Sequence, residues 1–415
     1  MLPNIPGAMA RYVIQQLGSH GTAPECGFEY YSVGLDDYLR TIEKECLQDF
    51  VRPGGSTFKW VIGAYGGGKT HFLYSVRDLA WRNGLAVSYV SLSHAECPFS
   101  QLELVYQAIV KGLSAPQTHE ELMSGWEKGL NALLQRTVQT YAQRQGVDMS
   151  TREEREQLKG ALIGDLRNLE SISYAKALRS ALVANIDGDE DAYETVVQWL
   201  LGEAYFAKIH RPYGILERID RRSAFGMIRS LLQAIRQLGY GGLLLLLDEA
   251  EAKVSLSTKE VNAQLSNLRE LIDWCGHPSF QGAMIFYAVP DDAFLDQGRA
   301  ATYEALRQRV RTVFETRNPS GVRVDLSHLG TGDDKAFLEE LGVKIAGVFA
   351  VARDHLFDEH EIAAVVPRVA DTALERRFEE IGHRRLFVQM MVSTLEFLHR
   401  ERRVPTDEEA QELWR

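Results

Sequence analysis

The chain has 415 residues, of which 45% are hydrophobic and 25% are charged, and its formal net charge is −11. This composition is typical of a soluble globular protein with room for about two or three domains. The sequence contains no apolar run of about twenty residues, so we expect no membrane-spanning helix. The acidic balance argues against a broad nucleic-acid footprint, although a local basic patch is compatible with it.

The cysteines and the N-terminal residues predict a cytoplasmic protein. The first residues lack the basic region and the apolar core of a secretory signal. The cysteines stand far apart and form no C-x-x-C pair, so we expect neither a disulfide framework nor a metal cluster, as in a reducing compartment. The four cysteines are Cys26, Cys46, Cys97 and Cys275.

Residues 7–50 carry apolar positions at helical spacing and predict two helices. Between them, Val33 and Gly34 belong to a small apolar segment just upstream of a glycine-rich loop. Such a segment can pack on an adenine ring, or it can be a plain turn between helices. The sequence leaves both interpretations open.

Residues 63–70 match the phosphate-loop pattern G-x-x-x-x-G-K-[ST] at every fixed position. The loop follows a β-rich run over residues 58–62 and precedes a helical pattern, which is the context that such loops require. Lys69 is predicted to contact the β- and γ-phosphates of ATP, and the Thr70 hydroxyl is predicted to bind Mg²⁺. A glycine-rich turn without a ligand is the alternative. The glycines that would let backbone N–H groups turn towards the phosphates are Gly63, Gly66, Gly67 and Gly68.

The middle of the chain predicts a second strand and then a long helical insertion. Residues 86–92 have the composition of a strand, and a helical pattern follows. Lys69 and Asp248 are 179 residues apart, far more than one strand and one helix require, so we assign residues 112–225 to an insertion. Its apolar positions fall near one helical face over residues 122–141 and again over residues 196–204.

Two charged segments stand out within this insertion. The acidic residues 186–191 predict a solvated loop; a Ca²⁺ site is the alternative, but the EF-hand spacing fails. Residues 208–229 hold six basic and two acidic side chains, a local charge of +4. Such a patch can contact the phosphates of duplex DNA or pair with acids of the core, and both interpretations stay open. The basic residues are Lys208, Arg211, Arg218, Arg221, Arg222 and Arg229.

An uninterrupted apolar run over residues 243–247 ends in Asp248 and Glu249. Such a run is typical of a buried parallel strand, whose carboxyl end is where α/β sheets place their ligands. Asp248 is predicted to hold Mg²⁺ through its water shell, and Glu249 to polarise the attacking water. A buried strand that simply ends in solvated acids is the alternative.

Further strands are predicted over residues 283–289 and 322–326, and residues 333–400 return to helical patterns. The order of these predicted strands and helices indicates an α/β nucleotide-binding domain followed by a small all-helical domain. The predicted division is an N-terminal helical segment, a first part of the core, the insertion, a second part of the core and a helical lid. Its boundaries are 1–52, 53–111, 112–225, 226–330 and 331–415.

The order of these parts resembles that of the AAA+ ATPases. It is closest to the branch of the origin-recognition ATPases and, within it, to the ATP-binding protein of bacterial BREX phage-defence systems. The resemblance implies a P-loop NTPase core with a parallel sheet, a long helical insertion and a C-terminal all-helical lid, and it places Val33, Gly34 and His71 at the nucleotide. It is carried by residues 33–34, 63–73, 239–251 and 382–387.

The resemblance also implies roles for polar residues outside the two motifs. An arginine of the lid that faces the γ-phosphate falls on Arg385, with Arg384 as the second choice; a solvated helix arginine is the alternative. An arginine supplied to a neighbouring subunit falls on Arg311, which would share a helical face with Arg307, and a basic surface helix is the alternative. Such a contact requires a homo-oligomer. The usual Asn, Ser or Thr that senses the γ-phosphate is missing at the end of the strand predicted over residues 283–289, and Asp291 is the candidate for this role.

Two functions are compatible with these residues. The first is an ATP-hydrolysing enzyme of phage defence that acts on DNA or on a DNA-processing partner protein. The second is a non-catalytic ATP sensor whose nucleotide state gates assembly with partner proteins. Glu249 directly after Asp248 favours hydrolysis, because a pure binding switch often lacks a carboxylate there.

Overall fold

The computed structural model describes residues 4–125, 127–164, 166, 169–249, 257–291, 300–328, 333–376 and 382–414. These residues form one six-stranded sheet in the order β3-β2-β4-β5-β1-β6. Neighbouring strands are parallel except for β2 and β3. The strands are β1 (Thr57–Ile62), β2 (Ala86–Leu92), β3 (Leu113–Ser114), β4 (Leu243–Glu249), β5 (Ala283–Val289) and β6 (Arg323–Asp325).

The five strands predicted from the sequence are confirmed. Strand β4 is buried on both faces, as its apolar run predicts. Leu243 and Leu245 belong to the core on one side of the sheet, with Phe58. Leu244 and Leu246 belong to the core on the other side, with Val61. The mixed α/β architecture with a mostly parallel sheet is therefore as predicted.

Strand β3 is a difference from the prediction, which assigned its residues to the helical insertion. Its two residues pair antiparallel with Val87 and Ser88 of β2 at the edge of the sheet. The hydroxyl of Ser114 donates to the carbonyl oxygen of Val87 at 3.1 Å. Two residues are too few to show the alternation by which strands are recognised in a sequence.

Helices cover both faces of the sheet and form two further helical layers. No helix among the described residues is both long and apolar enough to cross a membrane. The helices around the sheet are α2 (Asp36–Thr41), a π-helix (Ile42–Val51), α3 (Lys69–Arg82), α4 (Leu102–Lys111), α11 (Ala224–Gln237), α12 (Thr258–Cys275) and α13 (Ala300–Arg309). The insertion contains α5 (His119–Ser124), α6 (Leu130–Gln145), α7 (Arg152–Gly164), α8 (Ile172–Asp187), α9 (Glu190–Leu200) and α10 (Ala207–His210).

The insertion is helical as predicted, but two of its details differ. The apolar pattern over residues 122–141 spans two helices, because Gly125 and Gly129 have φ of +84° and +111° and end the helical path between α5 and α6. Trp126, part of that pattern, lies outside the described residues. The predicted acidic loop is a tight junction between α8 and α9, in which the side chain of Asp189 accepts the N–H of Ala192. Acidic residues are favourable in such a first turn, because they face the positive end of the helix dipole.

The N-terminal helix α1 (Gly7–His20) packs with the C-terminal helices. Its buried residues, among them Met9 and Val13, share one hydrophobic core with Ile345 and Phe387. The N-terminal and C-terminal helices thus form one helical layer, to which the segment after α1 is also tied: Lys344 Nζ donates to the carbonyl oxygen of Ser32 at 2.7 Å. The C-terminal helices are α14 (Asp334–Arg353), α15 (Glu359–Glu375), α16 (His383–Glu401) and α17 (Asp407–Leu413).

Candidate functional site

A cavity of about 690 Å³ lies at the carboxyl ends of β1 and β4. It is bounded by the glycine-rich loop, by α1 and the segment after it, and by the C-terminal helices. The predicted site residues that line it are Val33, Gly66, Gly67, Gly68, Lys69, Thr70, His71, Asp248, Arg384 and Arg385. Ligands of parallel α/β sheets bind at this edge.

The glycine-rich loop has a backbone that side chains would obstruct. Gly66 and Gly68 have φ of +73° and +92°, a region that glycine adopts without strain. A Cβ on Gly67 would lie 2.8 Å from the carbonyl oxygen of Ala64, closer than real contacts come. The loop leads directly into α3, which begins at Lys69. Unpaired N–H groups and the helix dipole make such a helix start a favourable place for an anion.

The Lys69 ammonium lies inside this loop. Its Nζ donates to the carbonyl oxygens of Gly63 at 2.7 Å and of Ala64 at 3.3 Å. Burial lowers the pKa of Lys69, an effect that the negative charges of Asp248 and Asp291 oppose. Asp291 lies two residues after the end of β5 and is exposed.

The carboxylate of Asp248 meets two hydroxyl groups. Thr70 Oγ1 donates to Asp248 Oδ2 at 3.1 Å, and the hydroxyl of Tyr89 donates to the same oxygen at 2.6 Å. Only 6% of Asp248 is exposed. Burial and the nearby carboxylate raise the pKa of Tyr89 well above its usual value, so its hydroxyl remains a donor.

These oxygen groups fit Mg²⁺, which binds through one or two protein oxygens together with phosphate oxygens and water. Thr70 and Asp248 supply such a pair beside the loop. No cluster of three or more His, Cys, Asp or Glu residues suited to a metal occurs within the described ranges.

His71, directly after Thr70, contacts the segment after α1 that lines one side of the cavity. Burial lowers the pKa of His71 to about 4, so its ring is neutral at pH 7. His71 Nε2 is 2.7 Å from the hydroxyl of Ser32, whose own proton goes to the carbonyl oxygen of Phe28. We therefore assign the ring proton to Nε2. Nδ1 can then accept from the hydroxyl of Tyr31 at 3.4 Å.

This contact fixes the segment that contains Val33 and Gly34. Val33 is buried and lines the cavity, whereas Gly34, with φ of +71°, is not among the lining residues. The segment is therefore both a turn between helices and a wall of the cavity. The packing of this segment on an adenine ring stays a prediction.

The C-terminal helices reach the glycine-rich loop through α16. Arg384 Nη1 donates to the carbonyl oxygen of Gly67 at 3.2 Å, and its guanidinium lies 4.4 Å from the ring centre of Phe337. Burial lowers the pKa of Arg384. The guanidinium of Arg385 lies 5.3 Å from the ring centre of Tyr65, a residue of the loop. Both arginines thus reach the loop, Arg384 with a hydrogen bond and Arg385 through an aromatic ring.

Arg311 lies outside this cavity, and its predicted helical setting is wrong. Helix α13 ends at Arg309, so Arg311 does not share a helical face with Arg307. The chain leaves the helix because Phe314 turns back to β6, where its N–H donates to the carbonyl oxygen of Arg323 at 2.7 Å. Arg311 is exposed, as an arginine offered to another molecule must be.

The Glu249 side chain lies outside the described part of the structure. Glu249 is the last residue of β4, and its backbone pairs with Leu92 of β2 at the carboxyl edge of the sheet. Its predicted role therefore stays a prediction.

The basic residues of the insertion are divided by the fold. Arg229 forms an ion pair with Glu170 and lies 3.9 Å from the ring centre of Trp274. Arg218 pairs with Asp220 at 2.9 Å. The remaining four basic side chains are exposed, and none forms an ion pair with any residue that the structure describes: Lys208, Arg211, Arg221 and Arg222.

Tyr89 is the site residue that sequence reasoning missed. It belongs to β2, 159 residues from Asp248 along the chain. The two meet because β2 and β4 are neighbours in the sheet, with Tyr89 opposite Leu246. A sequence does not show which strands are neighbours, so only the presence of a tyrosine in a mostly buried strand could have been noticed.

The chain thus has a mostly parallel α/β sheet with a cavity at the carboxyl ends of its strands. Proteins of this architecture bind their ligands at that edge. The chain belongs to the family described as BREX system ATP-binding protein BrxC/D, whose sequence profile matches residues 5–413. This membership confirms the resemblance to the BREX ATP-binding protein, and it makes ATP binding in a phage-defence system the general function of the family. Comparisons with curated proteins and with solved structures give no match.

Proposed function

We propose that this chain is a P-loop ATPase of the AAA+ type, which binds ATP with Mg²⁺ and hydrolyses it to drive assembly in phage defence. The observation that carries the proposal is the convergence of Lys69, Thr70 and Asp248 on one cavity at the end of a glycine-rich loop. A cation for the phosphates and oxygen ligands for a hard metal ion are the parts that phosphoryl transfer requires.

The cavity suits ATP in size and in the distribution of its chemistry. Its volume lies within the range of about 300–1,000 Å³ that small-molecule sites occupy. Apolar residues such as Val33 and Leu341 line the part suited to a base. The glycine-rich loop and Lys69 line the part suited to phosphates, where backbone N–H groups and an ammonium would replace water.

Magnesium, when bound, would neutralise charge on the phosphate oxygens. Thr70 would hold it through its hydroxyl oxygen and Asp248 through its water shell, and the 3.1 Å hydrogen bond between the two side chains keeps them side by side. Glu249 would orient and deprotonate the attacking water as a general base. Arg385 would approach the phosphates from the C-terminal helices, with Arg384 as the second candidate for that role.

Arg311 would complete the ATP site of a neighbouring copy, so the active protein would be a homo-oligomer. Arg311 is exposed, which supports this role, and it is not among the residues that line the cavity of its own chain. The competing function is a non-catalytic ATP sensor, which would bind ATP through the same cavity and release no phosphate.

Two substitutions test the proposal. Lys69→Ala removes the cation that faces the phosphates and should abolish ATP binding. Glu249→Gln keeps the shape of the side chain without its basicity, so ATP should still bind while phosphate release stops. Glu153→Gln, an exposed change in α7 of the insertion, is the matched control. Normal turnover by Glu249→Gln would overturn the role of Glu249 as the general base. If the parent protein binds ATP but releases no phosphate, the non-catalytic sensor is favoured.

A second candidate function is contact with duplex DNA or with a defence-system partner that processes DNA. Four exposed cations, Lys208, Arg211, Arg221 and Arg222, support it. In a chain with a net charge of −11, phosphates would be attracted only where cations gather. An oligomer formed around ATP would bring several copies of this surface together.

A further inference from the structure

The hydroxyl of Tyr89 and the hydroxyl of Thr70 both donate to one oxygen of Asp248, Oδ2, at 2.6 Å and 3.1 Å. The other oxygen, Oδ1, accepts no hydrogen bond from the residues that the structure describes. The two hydroxyls therefore distinguish the two oxygens of a carboxylate that is otherwise symmetric. Tyr89 is not among the residues that line the cavity, so it acts on Asp248 from behind.

The position of Tyr89 is fixed by contacts on several sides. Its ring packs against that of Tyr74 of α3, with ring centres 5.4 Å apart and planes tilted by 46°. Its backbone N–H donates to the carbonyl oxygen of Gly112. Gly112 is packed so closely that a Cβ there would lie 2.4 Å from the carbonyl oxygen of Tyr89. A hydroxyl held in this way has little freedom to turn from its acceptor.

We infer that Tyr89 is a positioning residue, which orients the Asp248 carboxylate so that Oδ1 is presented to the water shell of Mg²⁺. Partners of metal-ligating carboxylates generally fix the orientation of the ligand, and their loss weakens metal binding by about 10–100-fold. The inference rests on the proposed function, because it concerns the metal that arrives with ATP.

Tyr89→Phe isolates the hydroxyl, since phenylalanine keeps the ring and its packing against Tyr74. The variant should bind ADP in EDTA as tightly as the parent, because Lys69 and the glycine-rich loop are untouched. Its affinity for Mg²⁺ in the presence of ADP should fall by about 10-fold. Isothermal titration of MgCl₂ into the protein–ADP complex measures this difference without any need for turnover.

Tyr193→Phe is the matched control. It also removes one hydroxyl hydrogen bond, from Tyr193 to Asn131 Oδ1 at 2.7 Å, but within the helical insertion. Its Mg²⁺ affinity should equal that of the parent. In an Asp248→Asn background, Tyr89→Phe should have no further effect on Mg²⁺ affinity, because the carboxylate that it orients is gone. Circular dichroism checks that each variant folds; Tyr89→Met, which also lacks the donor, replaces Tyr89→Phe if that variant does not fold.

The outcomes separate this inference from the proposed function. If the parent binds Mg²⁺ with ADP and Tyr89→Phe binds it equally well, the positioning role is wrong and the proposed function stands. A fall in ADP affinity in EDTA that equals the fall with Mg²⁺ would assign Tyr89 to general packing and also overturn the inference. If the parent binds no nucleotide at all, it is the proposed function that fails.

Discussion

Gly382, at the start of α16, lies against the glycine-rich loop and offers a direct test of the contact between the C-terminal helices and the site. Its φ is +76°, and a Cβ there would lie 2.3 Å from the carbonyl oxygen of Tyr65, whereas real contacts stay beyond 3.0 Å. In Gly382→Ala the two backbones must therefore separate by about 0.7 Å. The hydrogen bond from Arg384 to Gly67, already 3.2 Å long, would then exceed hydrogen-bonding distance.

The magnitude follows from two separable effects. An L-residue at Gly382, whose φ of 76° and ψ of 130° lie outside the left-handed helical region, costs about 1–3 kcal/mol. A hydrogen bond from a charged donor contributes about 1.5–3 kcal/mol, and the lower end applies here because part of the Arg384 side chain is exposed. We expect the second effect to weaken ATP binding about tenfold, the equivalent of about 1.4 kcal/mol.

Gly188→Ala separates the two effects. Gly188 has a φ of +74°, close to that of Gly382, but a Cβ there meets no atom within 4 Å. Both variants should lose stability to backbone strain in urea unfolding, and Gly382→Ala should lose more, because Gly382 has a ψ of 130° whereas Gly188, with a ψ of 25°, lies in the left-handed helical region. Only Gly382→Ala should lose ATP affinity, measured by isothermal titration. If Gly382→Ala binds ATP as tightly as Gly188→Ala, the contact between α16 and the loop does not shape the site.

Three further predictions concern subunit contact, DNA and pH. Arg311→Ala should lower phosphate release per chain without weakening ATP binding, and turnover of the parent should rise with protein concentration; specific activity that stays flat on dilution would contradict a contact in trans. The double substitution Arg221→Ala with Arg222→Ala should weaken binding to all duplex DNA sequences alike. It should also reduce the slope of log affinity against log salt concentration by about two, one per phosphate contact; an unchanged slope would show that these arginines do not contact DNA. The hydrogen bond to Asp78 at 3.2 Å raises the pKa of His119, so the stabilisation is complete below about pH 6.5 and is lost as the pH rises through the raised pKa. His119→Gln should therefore lower stability at pH 5.5 by less than about 1 kcal/mol, since the ring is partly exposed, and should have little effect at pH 9; equal losses at both pH values would refute the linkage.

The strands could be predicted from the sequence because their signal is local. The run over residues 243–247 is apolar at every position, as is typical of a strand buried on both faces. It is followed directly by Asp248, the acid that contacts Thr70. The glycine-rich loop was predictable for the same reason. Its left-handed positions at Gly66 and Gly68 need glycine wherever the rest of the chain lies.

What the sequence did not show depends on long-range neighbours. The meeting of Tyr89 with Asp248 follows from the order of β2 and β4 in the sheet, which no local pattern encodes. The end of α13 before Arg311 is decided by the pairing of Phe314 with β6, so helical spacing alone extends that helix too far. In the second case a tertiary contact overrides a local preference.

The packing of α1 gives the cavity a composite wall. Because α1 shares its core with α14, α15 and α16, the two ends of the described chain form one helical layer over the sheet. Tyr12 and Leu17 of α1 line the cavity together with Arg384 and Arg385. A ligand in the cavity would therefore touch the sheet through Lys69 and the helical layer through these residues at once. A ligand shifts an equilibrium between two arrangements only through contacts that differ between them. Those contacts can differ here because the glycine-rich loop and the arginines of α16 belong to different layers of the protein.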